Sequence, residues 1–190
     1  MLNIGIIVGS TRPGRNTIKV AEWVRDHAAE RGDANYELVD LADFDLPLLD
    51  EPVPPSMGQY SKDHTKRWAA KIASLDAFVF VTPEYNHSTS AALKNAIDFI
   101  YAEWNDKAAA FVSFGSAGGT RAVEHLRTIA AEIKIADVRG QVALSLFDDF
   151  ENFSDFKPRD IHAPALDTMF EQLVGWGGAL KTYRDGKANA

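Results

Sequence analysis

The sequence predicts an α/β protein whose five-stranded parallel sheet is doubly wound in the strand order 2-1-3-4-5. Short apolar runs alternate with segments whose apolar residues recur at helical spacing, which is typical of a parallel sheet covered by helices on both faces. Right-handed crossovers between parallel strands leave few arrangements for five such units. The chain has 190 residues without a repeat or linker, so residues 1–190 are expected to form a single domain.

Five apolar runs predict the strands, and helical periodicity predicts a helix after each of them. The strands are expected at residues 4–8, 36–41, 77–81, 108–114 and 142–146. The helices are recognised by apolar faces around Val24, Ile72, Ile97, Leu126 and Phe170. Four prolines between residues 47 and 55 exclude a helix or a central strand there and predict a long loop.

Composition and charge exclude several classes of function. The chain has no cysteine, which excludes disulfides, thiolate nucleophiles and iron–sulfur clusters, so redox chemistry would need a bound cofactor. The formal net charge of -7 disfavours nucleic acid and anionic lipid as partners. The five histidines lack metal-ligand spacing, so no metal site is expected. The apolar N-terminus has no basic leader and no uncharged run could span a bilayer, so a cytoplasmic location without membrane contact is expected.

The predicted strand order indicates where a ligand would bind. In the order 2-1-3-4-5, the direction in which successive strands are added to the sheet reverses between strands 1 and 3. Sheets of this kind bind ligands in the crevice at the carboxyl ends of those two strands. The first loop (residues 9–17) and the second loop (residues 83–90) lie there, and the third loop (residues 114–121) follows strand 4. All three therefore meet at one edge of the sheet.

The first loop, GSTRPGRNT, is suited to an anion. It combines hydroxyl groups at Ser10 and Thr17 with cations at Arg12 and Arg15. The N-terminus of the following helix adds main-chain N–H groups and about half a positive charge. A nucleotide triphosphatase loop is excluded, because Arg15 and Asn16 replace the lysine and the magnesium-binding hydroxyl of that motif. The loop predicts a phosphate site, with an ordinary turn carrying surface arginines as the alternative.

The second and third loops are suited to a planar ligand. Pro83 ends the third strand, and Tyr85 and Asn86 then offer an aromatic ring and hydrogen-bonding groups. The glycines of the third loop, FGSAGGTR, would let the backbone approach a ligand closely. Lys94 and Asp98, one helical turn apart, are interpreted as a structural ion pair.

Together the three loops resemble the NADPH-dependent FMN reductase family, which has the flavodoxin-like fold and includes quinone and azo-dye reductases. The resemblance covers Leu2 to about Arg127 and rests on GSTRPGRNT, PEYNHSTSAALKNAIDF and the glycine-rich turn. It implies an oxidoreductase that transfers hydride from NADPH to bound FMN and on to small acceptors such as quinones. The flavin would carry the chemistry, so no side chain is expected to be catalytic by itself.

The resemblance also implies the residues of the FMN site. Those expected around the phosphate are Ser10, Arg12, Arg15, Asn16 and Thr17, and those expected along the isoalloxazine ring are Pro83, Glu84, Tyr85, Asn86, Gly115, Ser116, Gly118 and Gly119. Gly14 stands where many members of the family carry a serine, which removes one hydroxyl group. Arg15 either compensates for that loss or points to solvent.

Two alternatives to an enzyme remain open at the level of sequence. One is a non-enzymatic flavin electron carrier similar to flavodoxin, which Arg12, Arg15 and the PEYN motif disfavour. The other is a flavin-binding sensor, which has the same site and which no sequence feature separates from an enzyme.

Aromatic residues predict a surface for self-association. Phenylalanine recurs at every third position from residue 147 to residue 156, and Tyr101 and Trp104 extend the third helix beyond its apolar face. Because this exceeds what one small sheet needs, a homodimer or homotetramer is expected, as the family resemblance also implies. The phenylalanines of 147–156 form either a partner-facing lid or a satellite core, and the acidic residues among them, including Asp149, are interpreted as a solvated loop face.

Overall fold

The computed structural model describes residues 1–188 and shows a five-stranded parallel sheet with helices on both faces. Its strands are β1 (Leu2–Val8), β2 (Ala34–Asp40), β3 (Ala77–Pro83), β4 (Lys107–Gly115) and β5 (Ile135–Ser145), followed by a short antiparallel hairpin of β6 (Phe150–Glu151) and β7 (Asp155–Phe156). Its helices are α1 (Thr17–Ala29), α2 (Asp63–Ala73), α3 (Ala91–Asp98), α4 (Thr120–Glu132) and α5 (His162–Ala188). The strand order of the main sheet is β2-β1-β3-β4-β5, which confirms the predicted fold class.

Two hydrophobic cores lie on opposite faces of the sheet. Successive side chains of β3 alternate between them, as the pleat of a strand requires. Val79 and Val81 belong to the core that α1 and α5 cover, whereas Phe78 and Phe80 belong to the core under α2, α3 and α4. The three central strands are buried on both faces, and their carboxyl ends form one edge of the sheet.

The strand β5 is longer than predicted. It begins at Ile135 and has 11 residues, whereas the apolar run predicted a start at residue 142. Its first part lies at the edge of the sheet, where it carries the polar residues Asp137 and Arg139, and the register with β4 shifts between Ala109 and Phe111. Apolarity did not reveal this part, because an edge strand needs only one buried face.

The prediction that Trp104 adds exposed apolar surface is wrong. Its side chain is wholly buried, because a short 3-10 turn after α3 folds it back toward α2. Its ring centroid lies 5.9 Å from that of Trp68 and 5.0 Å from that of Phe78, and its indole N–H donates to the carbonyl of Ile97 at 3.2 Å. Trp104 therefore stabilises the core and offers nothing to a partner.

The prediction that Asp149 belongs to a solvated loop face is wrong, because its side chain is wholly buried. Its carboxylate accepts hydrogen bonds from Nε and the main-chain N–H of Arg159 at 3.0 and 3.1 Å, from the N–H of Ser145 at 2.8 Å and from His162 Nε2 at 2.9 Å. Burial raises the pKa of Asp149, but these hydrogen bonds outweigh burial and lower it to about 2. The carboxylate thus ties the end of β5 to the start of α5 and fixes both ends of the segment that carries the hairpin.

We predict that Asp149 makes the fold acid-sensitive. Its pKa is lower in the folded chain than in the unfolded one, so the ionised form stabilises the fold by about 2 kcal/mol at neutral pH. This contribution is lost as the pH falls from about 4 through 2. Urea unfolding from pH 7 to pH 3 should show Asp149→Asn less stable at pH 7, with the difference from wild type shrinking below pH 4.

The exposed neighbour Asp148 provides the control, and Asp148→Asn should behave like wild type at every pH. A stability difference for Asp149→Asn that stays constant down to pH 3 would contradict the assignment.

Candidate functional site

The carboxyl ends of β1, β3 and β4 meet around a cavity of about 230 Å³, where the sequence predicts the ligand site. Its lining residues are Arg12, Asn16, Pro83, Glu84, Tyr85, Phe114, Gly115, Leu146 and Phe153. Phe114, Leu146 and Phe153 were not expected from the motifs, and the other six were. The remaining predicted residues lie in the same three loops without lining the cavity: Ser10, Arg15, Thr17, Asn86, Ser116, Gly118 and Gly119.

The first loop is held against β3. The main-chain N–H of Gly9 donates to the carbonyl of Val81 at 2.8 Å, and a Cβ atom at position 9 would lie only 2.6 Å from that oxygen. Glycine is therefore required for this close approach. Beyond it, Ser10 is buried, and its hydroxyl lies 3.1 Å from the hydroxyl of Tyr85, which joins the first loop to the second.

The two arginines of the first loop have different environments. Arg12 is exposed, and its guanidinium lies 5.9 Å from the centroid of the Tyr85 ring, at the rim of the cavity. Arg15 instead forms an ion pair with Asp40 at the end of β2, and both side chains are largely buried. Of the two cations, Arg12 is thus the one that faces the cavity.

The N-terminus of α1 is suited to an anionic oxygen atom. Asn16 occupies the N-cap position, but its side chain does not cap the helix and instead donates to the carbonyl of Phe153 at 2.8 Å. The hydroxyl of Thr17 is buried and, among residues 1–188, has no hydrogen-bond partner. An uncapped helix terminus beside an unsatisfied hydroxyl fits a phosphate group, which would satisfy both.

The second loop opens with a tight turn at residues 85–88. The N–H of Tyr85 donates to the carbonyl of Ser88 at 2.9 Å, and the N–H of Ser88 returns a bond to Tyr85 at 3.1 Å. Asn86 and His87 have φ values of 48° and 74°, as the two central residues of a type I′ turn require. A positive φ at His87 is energetically unfavourable, and such strain is concentrated at functional sites in proteins.

An ion pair between a buried carboxylate and a partly exposed guanidinium joins the second loop to the third. The side chain of Glu84 is only 4% exposed and pairs with the guanidinium of Arg121, whose main-chain N–H also donates to Glu84 Oε2 at 3.3 Å. Arg121 Nη1 lies 3.2 Å from His87 Nδ1. The carboxylate of Glu84 thus holds the start of α4 against the Tyr85 turn.

The third loop needs glycine at position 119. The φ of Gly119 is 72°, and a Cβ atom there would lie 2.7 Å from Ser113 Cβ and 2.8 Å from the main-chain nitrogen of Phe114. The hydroxyl of Ser113 donates to the carbonyl of Gly118 at 2.7 Å and stabilises the turn. Ser116 is exposed at the tip of the loop.

A fourth segment, which the motifs did not predict, reaches the cavity from β5. We call residues 152–154, between β6 and β7, the hairpin tip. Its carbonyl groups accept hydrogen bonds from Asn16 and, at 2.8 Å, from Lys19 Nζ. The ring of Phe153 lines the cavity and packs edge-on against that of Phe147, with centroids 5.9 Å apart. The three-residue spacing of phenylalanine was the signal in the sequence, but it did not reveal which rings point to the site.

A larger depression of about 780 Å³ lies between α4, β5 and the start of α5. Arg127 in it pairs with Asp137 and donates to the Val138 carbonyl at 2.9 Å and to Gln141 Oε1 at 3.0 Å. Because these groups satisfy one another, the smaller cavity at the strand ends is the better candidate for a ligand site.

Two further observations concern metal binding and membrane-spanning helices. Within residues 1–188, no group of three or more histidine, aspartate or glutamate side chains is arranged to hold a metal ion. None of the helices in that part of the chain combines the length and apolarity needed to cross a membrane.

The fold and the three loops define a flavodoxin-like α/β protein, and comparison with known proteins gives its family. The model of the NADPH-dependent FMN reductase family matches residues 2–149. An NAD(P)H-dependent FMN reductase of Schizosaccharomyces pombe is 42% identical over 143 residues, which are 74% of this chain and 72% of the relative. A quinone reductase of Pseudomonas putida is 30% identical over 188 residues, which are 92% of this chain and 94% of the relative. The chain belongs to the NADPH-dependent FMN reductase family and is an oxidoreductase.

A solved structure shows the same fold. The flavoenzyme FerB, an NAD(P)H:(acceptor) oxidoreductase from Paracoccus denitrificans, superposes with a TM-score of 0.74 at 20% sequence identity. The superposition covers 94% of this chain and 98% of that protein.

Proposed function

We propose that this protein uses bound FMN to pass electrons from NADPH to small electrophiles such as quinones. The observation that carries the proposal is the uncapped N-terminus of α1, with the unsatisfied Thr17 hydroxyl, beside a cavity that Arg12 and Tyr85 border. The two relatives described above, an FMN reductase and a quinone reductase, support the cofactor and the class of acceptor.

The residues around the cavity suit the two ends of FMN. Arg12, the first amides of α1 and the hydroxyl of Thr17 would hold the phosphate, since all of them favour an anion. Tyr85 and Gly115 would border the flavin ring and exclude water from one side. The ion pair of Glu84 and Arg121 would keep the second and third loops in place without contact to the reacting atoms. Bound FMN would supply the two-electron chemistry that the side chains of this chain lack.

We predict a ping-pong kinetic pattern. The loops would cover one side of the flavin ring, so NADPH and the acceptor would have to use its other face in turn. Initial rates measured with NADPH and a benzoquinone should give parallel double-reciprocal lines. Intersecting lines, which require both substrates to be bound at once, would refute the use of a single flavin face.

We predict that Arg12 distinguishes FMN from riboflavin. FMN carries nearly two negative charges on its phosphate and riboflavin carries none. Arg12→Ala should weaken FMN binding by about 1.5 to 3 kcal/mol, the range for a hydrogen bond to a charged group. Riboflavin affinity should be unchanged. Both affinities can be measured by the change in flavin fluorescence on binding.

Arg15→Ala is the matched control for this experiment. It removes the same charge from the same loop, but Arg15 is engaged with Asp40, so FMN affinity should fall much less than in Arg12→Ala. Equal losses in the two variants would show only a general effect of charge. An equal loss of FMN and riboflavin affinity in Arg12→Ala would point to misfolding.

We also propose that the protein is a cytoplasmic homodimer or homotetramer. Several large apolar side chains are exposed in the monomer, among them Leu48, Met57, Phe147 and Trp176. Exposed apolar groups of this size favour association. Light scattering at micromolar concentration should give at least twice the monomer mass of 20.9 kDa, and a mass of one chain would exclude self-association.

A further inference from the structure

The residues best suited to the FMN phosphate are buried, and one of them, Asn16, is hydrogen-bonded to the hairpin tip. Ser10, Asn16 and Thr17 have relative exposures of 1%, 8% and 0%, whereas Thr11 and Arg12 of the same loop are exposed. The carbonyl of Phe153 accepts a hydrogen bond from the side-chain amide of Asn16 at 2.8 Å and so takes one of its two N–H donors. In this arrangement a phosphate group would share Asn16 with the hairpin tip.

The base of the hairpin is firmly anchored. Phe150 is buried, and its ring centroid lies 5.6 Å from that of Phe114. Phe156 packs against Phe150 at 5.1 Å and against Trp23 at 5.6 Å. Together with the buried carboxylate of Asp149, these contacts hold both strands of the hairpin to the core, so movement there would be costly.

The hairpin tip is held much less firmly than its base. Two hydrogen bonds join the tip to α1 and to Asn16, the residue before α1. Asn16 Nδ2 donates to the carbonyl of Phe153, and the exposed Lys19 donates to the carbonyl of Ser154. Asn152 and Phe153 have φ values of 51° and 58°, and this left-handed conformation is unfavourable for a bulky residue such as phenylalanine. Phe153 as a whole is 61% exposed. The tip can therefore move while the base stays in place.

The size and charge of the closed site also argue for movement. The cavity of about 230 Å³ is smaller than the roughly 300 to 1,000 Å³ usual for sites that enclose a ligand of this size. The carbonyl oxygen at Asn16 carries partial negative charge, which repels a phosphate oxygen. The closed tip therefore places this oxygen next to the position that the phosphate would take at Asn16.

We propose that the hairpin tip is a movable cover of the flavin-phosphate site. The tip moves away from Asn16 to admit the phosphate monoester of FMN and then closes again beside the phosphate. Opening of the tip therefore limits the rates of both binding and release of the cofactor. The proposal rests on the proposed function in one respect, namely that FMN is the ligand. It adds Lys19, Phe153 and Ser154 to the residues that control cofactor retention.

The test is the rate of FMN binding and release in Lys19→Met, followed by stopped-flow flavin fluorescence. If Lys19 fastens the cover, its loss should raise both rate constants about two- to fivefold, the effect of one exposed hydrogen bond, with little change in affinity. If Lys19 instead acts only as a positive charge near the phosphate, its loss should lower the association rate. The sign of the change in association rate separates these two roles.

Two controls and a second variant complete the experiment. Lys66→Met removes the same charge from the exposed surface of α2 and should leave both rates unchanged. Riboflavin, which has no phosphate to place at Asn16, should bind Lys19→Met and wild type at equal rates. Phe147→Ala removes the ring against which Phe153 packs but leaves the backbone of the tip and the lining of the cavity unchanged, and it should release FMN faster than wild type.

The possible outcomes separate the cover from the function. Faster FMN association and release in Lys19→Met, with unchanged riboflavin rates, together with faster release in Phe147→Ala, would support the cover. Wild-type binding of FMN with unchanged or slower association in Lys19→Met, or unchanged release in Phe147→Ala, would overturn the cover and leave the proposed function intact. A wild-type protein that binds no FMN would overturn both.

Discussion

The site depends on the order of the strands in the sheet, which is extended to one side of β1 by β2 and to the other side by β3. The strands β1 and β3 are neighbours in the sheet, with Ile6 paired to Val79, yet the connections that follow them leave toward opposite faces. Loops that diverge in this way cannot fill the crevice between them, so the carboxyl edge of the sheet retains an opening. The hydrogen bond from Gly9 to Val81 places the first turn of α1 directly at that opening.

Polar contacts between the loops then determine the shape of the opening. The hydroxyls of Ser10 and Tyr85 join the first loop to the second, and the ion pair of Glu84 with Arg121 joins the second to the third. Glu84 is nearly buried, so loss of Arg121 would leave an uncompensated charge, which is strongly unfavourable. The loops therefore form one connected wall. In contrast, the hairpin tip is attached to α1 by contacts at its edge, which lets one side of the cavity open without disturbing the others.

The features that could be predicted from the sequence are those set by local pattern. The strands β1, β3 and β4 are buried on both faces and therefore appear as uninterrupted apolar runs, and the motifs after them contain most of the residues that line the cavity. The features that were missed depend on contacts between distant parts of the chain. Asp149 is buried only because Arg159 and His162 satisfy its charge, and Phe153 lies at the site only because residues 150–156 fold back over α1. Charge and spacing alone do not distinguish such residues from a solvated loop.

The most direct test of the account is the absorbance spectrum of the protein after incubation with FMN and removal of unbound flavin. If the cavity holds FMN for reduction by NADPH, the protein should keep a yellow flavin spectrum that bleaches when NADPH is added without oxygen. Addition of a benzoquinone should then restore the spectrum, because the acceptor takes the electrons. A protein that retains no flavin, or whose bound flavin stays oxidised in the presence of NADPH, would contradict the account.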